Sequence, residues 1–321
     1  MSAAQNAPFR PLSNNQTTFA NGSRPIIVTG PTGSGKSALA AALAARMGGE
    51  VVGADAFQIY AGLPILTAQA GEELRAIAPH HLVGFRDLTQ NFDAALYAGA
   101  ALRCIREIQA RGRIPILTGG TGLYLKALTH GLAEMPKPDA DLRNRLASMP
   151  LEEVLAELAE QDPTALGAID ARNPVRVRRA LEIVLLTARP LAESREGWKI
   201  DRGLFRGIVL VRERDELRSR IAANVDAMFA SGVVAEVRAA SHAGEGASRA
   251  IGFREIQQLL RGEITEDACK SAMRVATQRY AKRQMIWART QFHFPFLNLT
   301  TLQSPDDVLN AALDVLDTQN P

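Results

Sequence analysis

The feature that most constrains this chain is the octapeptide GPTGSGKS, which runs from Gly30 to Ser37. It matches the pattern G-x-x-x-x-G-K-[ST] in full. An apolar run precedes it and an alanine-rich run follows it, so it lies where a strand passes into a helix. This context predicts a phosphate-binding loop, against the alternative of a chance match in a glycine-rich turn.

Each residue type in the loop suits a polyphosphate. The glycines permit positive φ, so backbone N–H groups and the helix N-terminus can face one anion. Lys36 reaches the terminal phosphates, and the Ser37 hydroxyl can bind Mg²⁺, the predicted cofactor. The predicted diphosphate site is the whole loop: Gly30, Pro31, Thr32, Gly33, Ser34, Gly35, Lys36 and Ser37. The motif leaves the reaction open.

Length and composition narrow the class of protein. The 321 residues exceed what a single core usually holds, so we expect two domains or one with a large insertion. Cys104 and Cys269 stand far apart, which favours a reducing, cytoplasmic compartment and argues against a zinc site. No apolar run approaches the roughly 18 residues of a membrane span. The net charge of +3 and pI near 9.0 are compatible with a nucleic-acid partner.

The first 23 residues are rich in Ser, Asn, Thr, Gln and Ala and carry almost no charge. They predict a disordered tail. The alternative is an organelle transit peptide, but Arg10 alone gives no cationic amphipathic face.

Two polar residues follow apolar strands and are candidates for chemistry. Asp55 ends the run after Glu50, and in a parallel sheet it is expected beside the phosphate loop. It is a candidate general base or magnesium partner, or else only a cap for the next segment. Thr121 lies in a second glycine-rich turn, 119–122, which can face the same anion or serve as a turn alone. The adjacent histidines, 80 and 81, suit packing and hydrogen bonding better than a metal.

Residues 136–202 change in character and predict an all-helical insertion. Within it, Asn173 or Pro174 opens a helix that brings Arg172, Arg176 and Arg179 within reach of one face. Such a stripe suits an RNA backbone, or is simply a solvated face.

Residues 203–300 return to the core. The apolar run 207–211 predicts a strand, and Arg214 and Arg220 on the following helix can close over the phosphates. A long helix over 266–292 interleaves basic residues with Tyr280 and Trp287, which either stack RNA bases or anchor the helix in the core.

These motifs together resemble the tRNA dimethylallyltransferases, also called tRNA isopentenyltransferases. The resemblance covers roughly residues 24–296 and rests on GPTGSGKSALA, GADAFQIY, PHHL, GRIPILTGGTGLYLKAL, RNPVRVRRALEI, AIGFREI and TQRYAKRQMIWAR. The predicted fold is α/β: a P-loop NTPase-like parallel sheet core over 24–135 and 203–300, an all-helical tRNA-binding insertion over 136–202, and a C-terminal segment, 301–321. We expect a monomer.

The resemblance implies transfer of a dimethylallyl group from its diphosphate to N6 of the adenosine 3′ of the anticodon, in tRNAs that read codons beginning with U. It implies that Asp55 accepts the N6 proton and that Thr121 contacts the bridging oxygen of the diphosphate. The loop, Arg214 and Arg220 would hold the leaving diphosphate, and the tRNA anticodon stem-loop would be the partner.

The resemblance also implies a tRNA-binding set. It comprises Asp55, Ala56, Phe57, Gln58, Thr121, Arg143, Val175, Arg176, Val177, Arg178, Arg179, Arg249, Gly252, Arg254, Lys282, Arg283 and Arg289. Ala56 departs from the serine common in the family, which puts any role of that hydroxyl in doubt. Some eukaryotic relatives carry a C-terminal zinc finger. This sequence has no cysteines to build one, which favours a bacterial-type enzyme.

Three other functions remain open at this point. A small-molecule kinase shares the loop but leaves the second glycine turn and the arginine-rich insertion unexplained. A nucleotide-dependent RNA-binding module without transfer chemistry would bind tRNA without needing Asp55. An enzyme that prenylates free AMP would not need the basic insertion.

Overall fold

The structure is a computed structural model that describes residues 24–131, 136, 139–194 and 204–319. The predicted tail, 1–23, lies outside the described residues. The described chain forms two compact units, one from 24–129 with 204–319 and the other from 130–194. The first division follows residue 129, six residues before the predicted end of the core at 135 (135 − 129 = 6).

A six-stranded sheet organises the first unit, in the order β3-β2-β4-β1-β5-β6 with every pairing parallel. The strands are β1 Ile26–Thr29, β2 Gly49–Gly53, β3 His80–His81, β4 Ile114–Gly119, β5 Arg206–Val211 and β6 Phe296–Asn298. In the central strand, Val28 pairs with Thr118 of β4 and with Ile208 of β5. Because the strands are parallel, the loops after β1, β2 and β4 emerge at one edge.

Fourteen α-helices are present in the described residues. They are α1 Lys36–Met47, α2 Glu72–Ile77, α3 Ala94–Ala110, α4 Gly122–Thr129, α5 Ala140–Ser148, α6 Leu151–Gln161, α7 Pro174–Thr187, α8 Leu191–Ser194, α9 Arg214–Ala230, α10 Val233–Ala239, α11 Glu245–Ser248, α12 Phe253–Leu260, α13 Glu266–Gln291 and α14 Pro305–Asp317. The predicted helix over 266–292 is confirmed within one residue at each end.

The four inner strands of the sheet, β1, β2, β4 and β5, are buried and rich in Val, Ile and Leu, as expected of a parallel sheet covered on both faces. Ile26, Val28 and Ile116 are fully buried and pack against Leu39 and Leu43 of α1. Burial of each such side chain stabilises the fold by about 1.5–3 kcal/mol.

The C-terminal segment contributes to this core, which the sequence did not indicate. Ser304 caps α14 in a reciprocal pair of hydrogen bonds with Asp307, and Pro305 begins the helix. Ala312 and Leu316 are fully buried in the same cluster as the sheet residues. The core therefore extends past residue 300, where the predicted core ended.

The second unit is helical throughout its described residues and comprises α5 to α8 with a 3-10 turn at Ala165–Ala168. Its core is formed by Leu146, Leu158 and Leu181 among other buried side chains. Asn173 caps α7 by accepting from the N–H groups of Val175 and Arg176. The unit thus has its own core, whereas the sequence pattern predicted only that this segment is helical.

Candidate active site

The phosphate loop connects β1 to α1 and has the backbone that the motif requires. Gly30, Gly33 and Gly35 have φ of +148°, +81° and +99°, in the region that favours glycine. A Cβ at Gly30 would also lie 2.6 Å from the carbonyl oxygen of Leu210 on β5. Gly35 caps α1 in the left-handed conformation, so the helix N-terminus opens toward the hollow of the loop.

Two cations, Lys36 and Arg220, lie at the loop. Lys36 Nζ lies 3.3 Å from the carbonyl oxygen of Pro31, and burial lowers its pKa against the opposing effect of Asp55. Arg220 Nε donates to the carbonyl oxygen of Gly33 at 2.8 Å. Burial lowers the Arg220 pKa, and the neighbouring Arg212 lowers it further. A bound anion would relieve both costs, because an opposite charge favours the charged form.

Asp55 lies just past the end of β2 and is oriented by its own turn. Its Oδ1 accepts from the N–H of Phe57 at 2.9 Å and of Gln58 at 3.4 Å. Among the described residues no hydrogen-bond donor engages Oδ2. The carboxylate therefore acts as a local cap and still has an oxygen available to a ligand.

The second glycine turn is pressed against the Asp55 turn. A Cβ at Gly119 would lie 2.1 Å from the carbonyl oxygen of Ala54, so only glycine allows this approach. Thr121 Oγ1 accepts from the N–H of Ala56 at 2.9 Å. Since that oxygen is already an acceptor, the Thr121 hydroxyl proton is free to be donated.

Helix α13 crosses above both turns and brings in two side chains. The side chain of Tyr280 lies beside Thr121, and burial raises the Tyr280 pKa, with Asp55 adding to the effect. Gln284 Oε1 accepts from the N–H of Thr32 at 2.7 Å, while its Nε2 points at Gly120, where a Cβ would be 2.0 Å away. Gln284 is 5% exposed, and among the described residues its Nε2 has no hydrogen-bond partner. The helix thus joins the phosphate loop to the second turn.

The phosphate loop, the Asp55 turn, α9 and α13 line a cavity of about 310 Å³, and Thr121 of the second turn is not among the lining residues. Polar groups occupy part of its wall: Lys36, Ser37, Asp55, Arg220 and Tyr280. Apolar side chains supply the rest, among them Phe57, Leu66, Met228 and Met273. A cavity that combines a phosphate cradle, a carboxylate and an apolar wall suits an anionic ligand with a hydrocarbon part.

Arg214 does not line this cavity, contrary to its predicted place over the phosphates. It is exposed and lines a second, larger cavity of about 1040 Å³ between α9, α13 and β6. The reason is local: Arg214 is the first residue of α9, whereas Arg220 lies nearly two turns further along and points back to the loop. Arg212, which the sequence analysis passed over, approaches the loop instead and donates to the carbonyl oxygen of Ser34 at 3.0 Å.

The predicted tRNA-binding residues fall into two groups by exposure. Most are exposed or partly exposed: Asp55, Ala56, Phe57, Gln58, Thr121, Arg143, Val175, Arg176, Arg178, Arg179, Arg249, Arg254, Lys282, Arg283 and Arg289. The prediction that Val177 binds tRNA is corrected, because Val177 is fully buried in the core of the helical unit and its side chain cannot reach an RNA. Gly252 is likewise buried, and its φ of +95° caps α12.

Some of these cations have partners within their own unit. Arg143 and Arg179 both pair with the buried Glu182, at 2.8 and 2.6 Å. Arg178 donates to the carbonyl oxygens of Leu146 and Met149. Arg178 therefore has a structural role, whereas Arg176 is exposed at the start of α7 beside Val175, whose side chain is 70% exposed.

Sequence reasoning missed Gln284 and Arg212, and it did not distinguish the role of Tyr280 from that of Trp287. Their spacing of seven residues put both on one face of α13. In the structure Tyr280 lines the cavity, while Trp287 packs on the glycine turn, where a Cβ at Gly122 would be 2.6 Å from its ring. Only the contacts separate a ligand-facing aromatic from an anchoring one.

A glycine-rich loop after the central strand of a parallel sheet, leading into a helix N-terminus, defines the class: an α/β protein of the P-loop type. The profile of a family described as IPP transferase matches residues 58–291 of this chain. The chain belongs to the IPP transferase family.

Relatives and solved structures agree with that placement. A tRNA dimethylallyltransferase from Akkermansia muciniphila is 41% identical over 267 residues, which are 83% of this chain and 90% of the relative. A tRNA isopentenylpyrophosphate transferase from Bacillus halodurans is 31% identical with a TM-score of 0.68, covering 92% of this chain and 98% of that one. A eukaryotic dimethylallyltransferase solved acting on tRNA is 24% identical with a TM-score of 0.79, covering 93% and 80%, and shows the shared fold.

No helix among the described residues is long and apolar enough to cross a membrane.

Proposed function

We propose that this protein transfers a dimethylallyl group from dimethylallyl diphosphate to N6 of an adenosine in tRNA, the one 3′ of the anticodon. The observation that carries the proposal is the single cavity in which Lys36 and Arg220 at the phosphate loop face Asp55 beside an apolar wall. The names of the relatives supply the substrates, since a tRNA dimethylallyltransferase is 41% identical to this chain. The geometry supplies roles for the residues.

The chemistry makes two demands that the cavity can meet. N6 of adenine bonds to C1 of the dimethylallyl group as the C1–O bond breaks, and the diphosphate leaves with the electron pair. Lys36, Arg220 and the loop N–H groups stabilise the negative charge that develops on the diphosphate. Asp55 accepts the proton that N6 loses, through the carboxylate oxygen that its turn leaves available.

Thr121 is suited to the junction between the two substrates. Its oxygen is held by the N–H of Ala56, so its hydroxyl can donate to the bridging oxygen at which the C1–O bond breaks. The side chain of Tyr280 lies beside that hydroxyl and can orient it. The apolar wall formed by residues such as Phe57 and Met273 suits the five-carbon chain.

An adenine amine stacked in an anticodon loop cannot reach this cavity, so the base must be flipped out. Extrusion costs a few kcal/mol, which contacts to the RNA offset. The exposed cations of α7, α12 and α13, including Arg176, Arg254 and Lys282, are the candidates for those contacts. The substrate is therefore proposed to be a folded RNA rather than free AMP.

Mg²⁺ fits this site as a cation that arrives with its diphosphate. Ser37 supplies a hydroxyl at the start of α1, and no group of three or more His, Cys, Asp or Glu side chains in the described chain is arranged to hold a metal. Mg²⁺ keeps several waters and binds through few protein ligands plus phosphate oxygens. When bound, it would neutralise charge on the leaving diphosphate.

The deciding experiment supplies dimethylallyl diphosphate and an anticodon stem-loop, with the modified adenosine detected by mass spectrometry. We expect a mass increase of one dimethylallyl group per RNA, on the adenosine 3′ of the anticodon. Phosphoryl transfer from ATP without prenylated product would instead identify a small-molecule kinase. Nucleotide-dependent RNA binding without product would identify a binding module.

We also propose that the enzyme is a cytoplasmic monomer. Both cysteines are free and buried, and burial raises the pKa of Cys269 to about 11 and that of Cys104 to about 12. Such thiols are unreactive packing residues, as is usual in a reducing compartment. Light scattering of the purified protein tests the oligomeric state, with a mass near 34.6 kDa expected.

A further inference from the structure

Two guanidinium groups donate hydrogen bonds to backbone carbonyls of the phosphate loop. Arg220 Nε donates to the carbonyl oxygen of Gly33, and Arg212 Nε donates to that of Ser34. Only 13% of the Arg212 side chain is exposed. We propose that Arg212, held in place by Glu216 and Thr300, is a positioning residue that keeps the phosphate loop in its anion-binding shape. This inference rests on the proposed function, in which that anion is the diphosphate.

The contact acts through one peptide group. In a trans peptide the C=O and the following N–H point in opposite directions. Since Arg212 holds the Ser34 carbonyl to the outside, the N–H of Gly35 is directed into the hollow of the loop. A Cβ at Gly35 would lie 3.8 Å from a terminal nitrogen of Arg212, so the guanidinium packs directly on this part of the loop.

Arg212 is itself fixed by a chain of polar contacts. One of its terminal nitrogens pairs with Glu216, whose second oxygen accepts from the Thr300 hydroxyl. Thr300 in turn accepts from the N–H of Glu213 at 2.9 Å. These hydrogen bonds, that of Thr300 first, lower the pKa of Glu216, so the carboxylate stays charged at neutral pH. The turn after β6 thereby supports the loop after β1.

The arrangement needs the shape of a guanidinium as well as its charge. Nε donates to the Ser34 carbonyl while a terminal nitrogen pairs with the Glu216 carboxylate. A planar guanidinium can make both contacts at once because its N–H groups point in fixed, different directions. A lysine ammonium at this position would keep the charge but cannot hold both partners in the same geometry. Arg212→Lys therefore removes the geometry of the guanidinium while it keeps the positive charge.

The first test measures binding of inorganic pyrophosphate by calorimetry, which requires no transfer reaction. Arg212→Lys and Arg212→Gln are each expected to weaken binding about tenfold, in line with losing a charged hydrogen bond. Arg218→Ala, on α9 with a surface pairing to Asp215, is the control and should bind normally. Wild-type affinity in Arg212→Lys would overturn the inference and leave the proposed function intact. No binding by the wild-type protein would count against the proposed function itself.

Steady-state kinetics and a second variant distinguish a positioning role of Arg212 from a loss of folding. In Arg212→Lys the KM for dimethylallyl diphosphate should rise about tenfold while the KM for the RNA stays within about twofold. Thr300→Ala, at an exposed position, should weaken pyrophosphate binding about threefold, because it removes one support of Arg212. Equal increases in both KM values, or an unchanged Thr300→Ala, would contradict the role assigned to Arg212.

Discussion

Asp55 shows how one carboxylate combines a local and a chemical role. Its Oδ1 closes the turn after β2 by accepting from the N–H of Phe57. Its charge also opposes the lowering of the Lys36 pKa, which places the two groups within electrostatic reach of each other. A cap and a proton acceptor were alternatives in the sequence, and the geometry accommodates both.

The first prediction concerns the charge of Asp55. Asp55→Asn keeps an oxygen that can accept from Phe57 but removes the base, so single-turnover transfer should fall by roughly 10²-fold or more. Affinity for the stem-loop should change by less than about threefold, since phosphate contacts dominate RNA binding. Rapid-quench kinetics with a filter-binding assay measures both. Transfer at the wild-type rate would exclude Asp55 as the base.

The second prediction concerns Glu50, a buried carboxylate at the far end of β2. It is 4% exposed and contacts His81 at 2.6 Å, Arg111 at 2.7 Å and Arg113 at 3.6 Å. Hydrogen bonding to Arg111 is the largest cause that lowers its pKa. Since the folded-state pKa lies below the unfolded one, the stabilisation is present above about pH 4.3 and is lost as pH falls further.

Glu50→Gln should therefore lower the free energy of unfolding by about 2 kcal/mol at pH 7, because the cations around it lose their counter-charge. The difference from wild type should shrink toward pH 3, because Glu50 takes up a proton more readily in the unfolded state than in the folded one. Urea unfolding at the two pH values measures it, with the exposed Asp314→Asn as control. An equal difference at both pH values would assign the effect to packing.

At the scale of elements, α13 connects the parts of the site. Its Tyr280, Gln284 and Trp287 contact, in order, Thr121, the phosphate loop and Gly122. The amphipathic spacing predicted the helix itself. Which of its faces meets the ligand depended on the two glycine turns beneath it, and these come from strands far away in the chain.

The third prediction follows from that close packing. Gly122→Ala would place a Cβ 2.6 Å from the rigid Trp287 ring, so α13 must shift away from the turn. We expect a destabilisation of about 1–3 kcal/mol in thermal unfolding and a loss of transfer activity. Gly71→Ala is the matched control, because its Cβ would meet nothing within 4 Å and its φ is −72°. Unchanged stability in Gly122→Ala would contradict the packing described.

At the scale of the whole molecule, the question is whether the helical unit takes part in the proposed RNA binding. The helical unit has its own core and several exposed cations, with Arg176 at the start of α7. Charge alone does not distinguish an RNA-binding face from a solvated one. A salt-dependence measurement does, because each phosphate contact contributes to the slope.

The fourth prediction is that log affinity for the stem-loop falls linearly with log salt concentration. Arg176→Ala should weaken binding at low salt and reduce the slope by about one. Arg103→Ala, an exposed arginine on α3, is the control and should leave the slope unchanged. If Arg176→Ala also keeps the wild-type slope, that face of α7 is only solvated.

The sequence by itself determined the local features of this protein. The phosphate loop, the buried strand runs and the cap at Asn173 follow from neighbouring residues, because backbone conformation and hydrophobic periodicity are short-range properties. The family resemblance, carried by motifs in fixed order, extended these to the fold class and the candidate residues.

The tertiary structure alone decided which side chains meet. It brought Arg212 rather than Arg214 to the loop, buried Val177, placed Gln284 between two turns and packed α14 on the sheet. These outcomes depend on contacts between residues far apart in the chain, such as Thr32 and Gln284, which are 252 positions apart. No local pattern encodes such contacts, since they arise from the parallel strand order and from which helix crosses its edge.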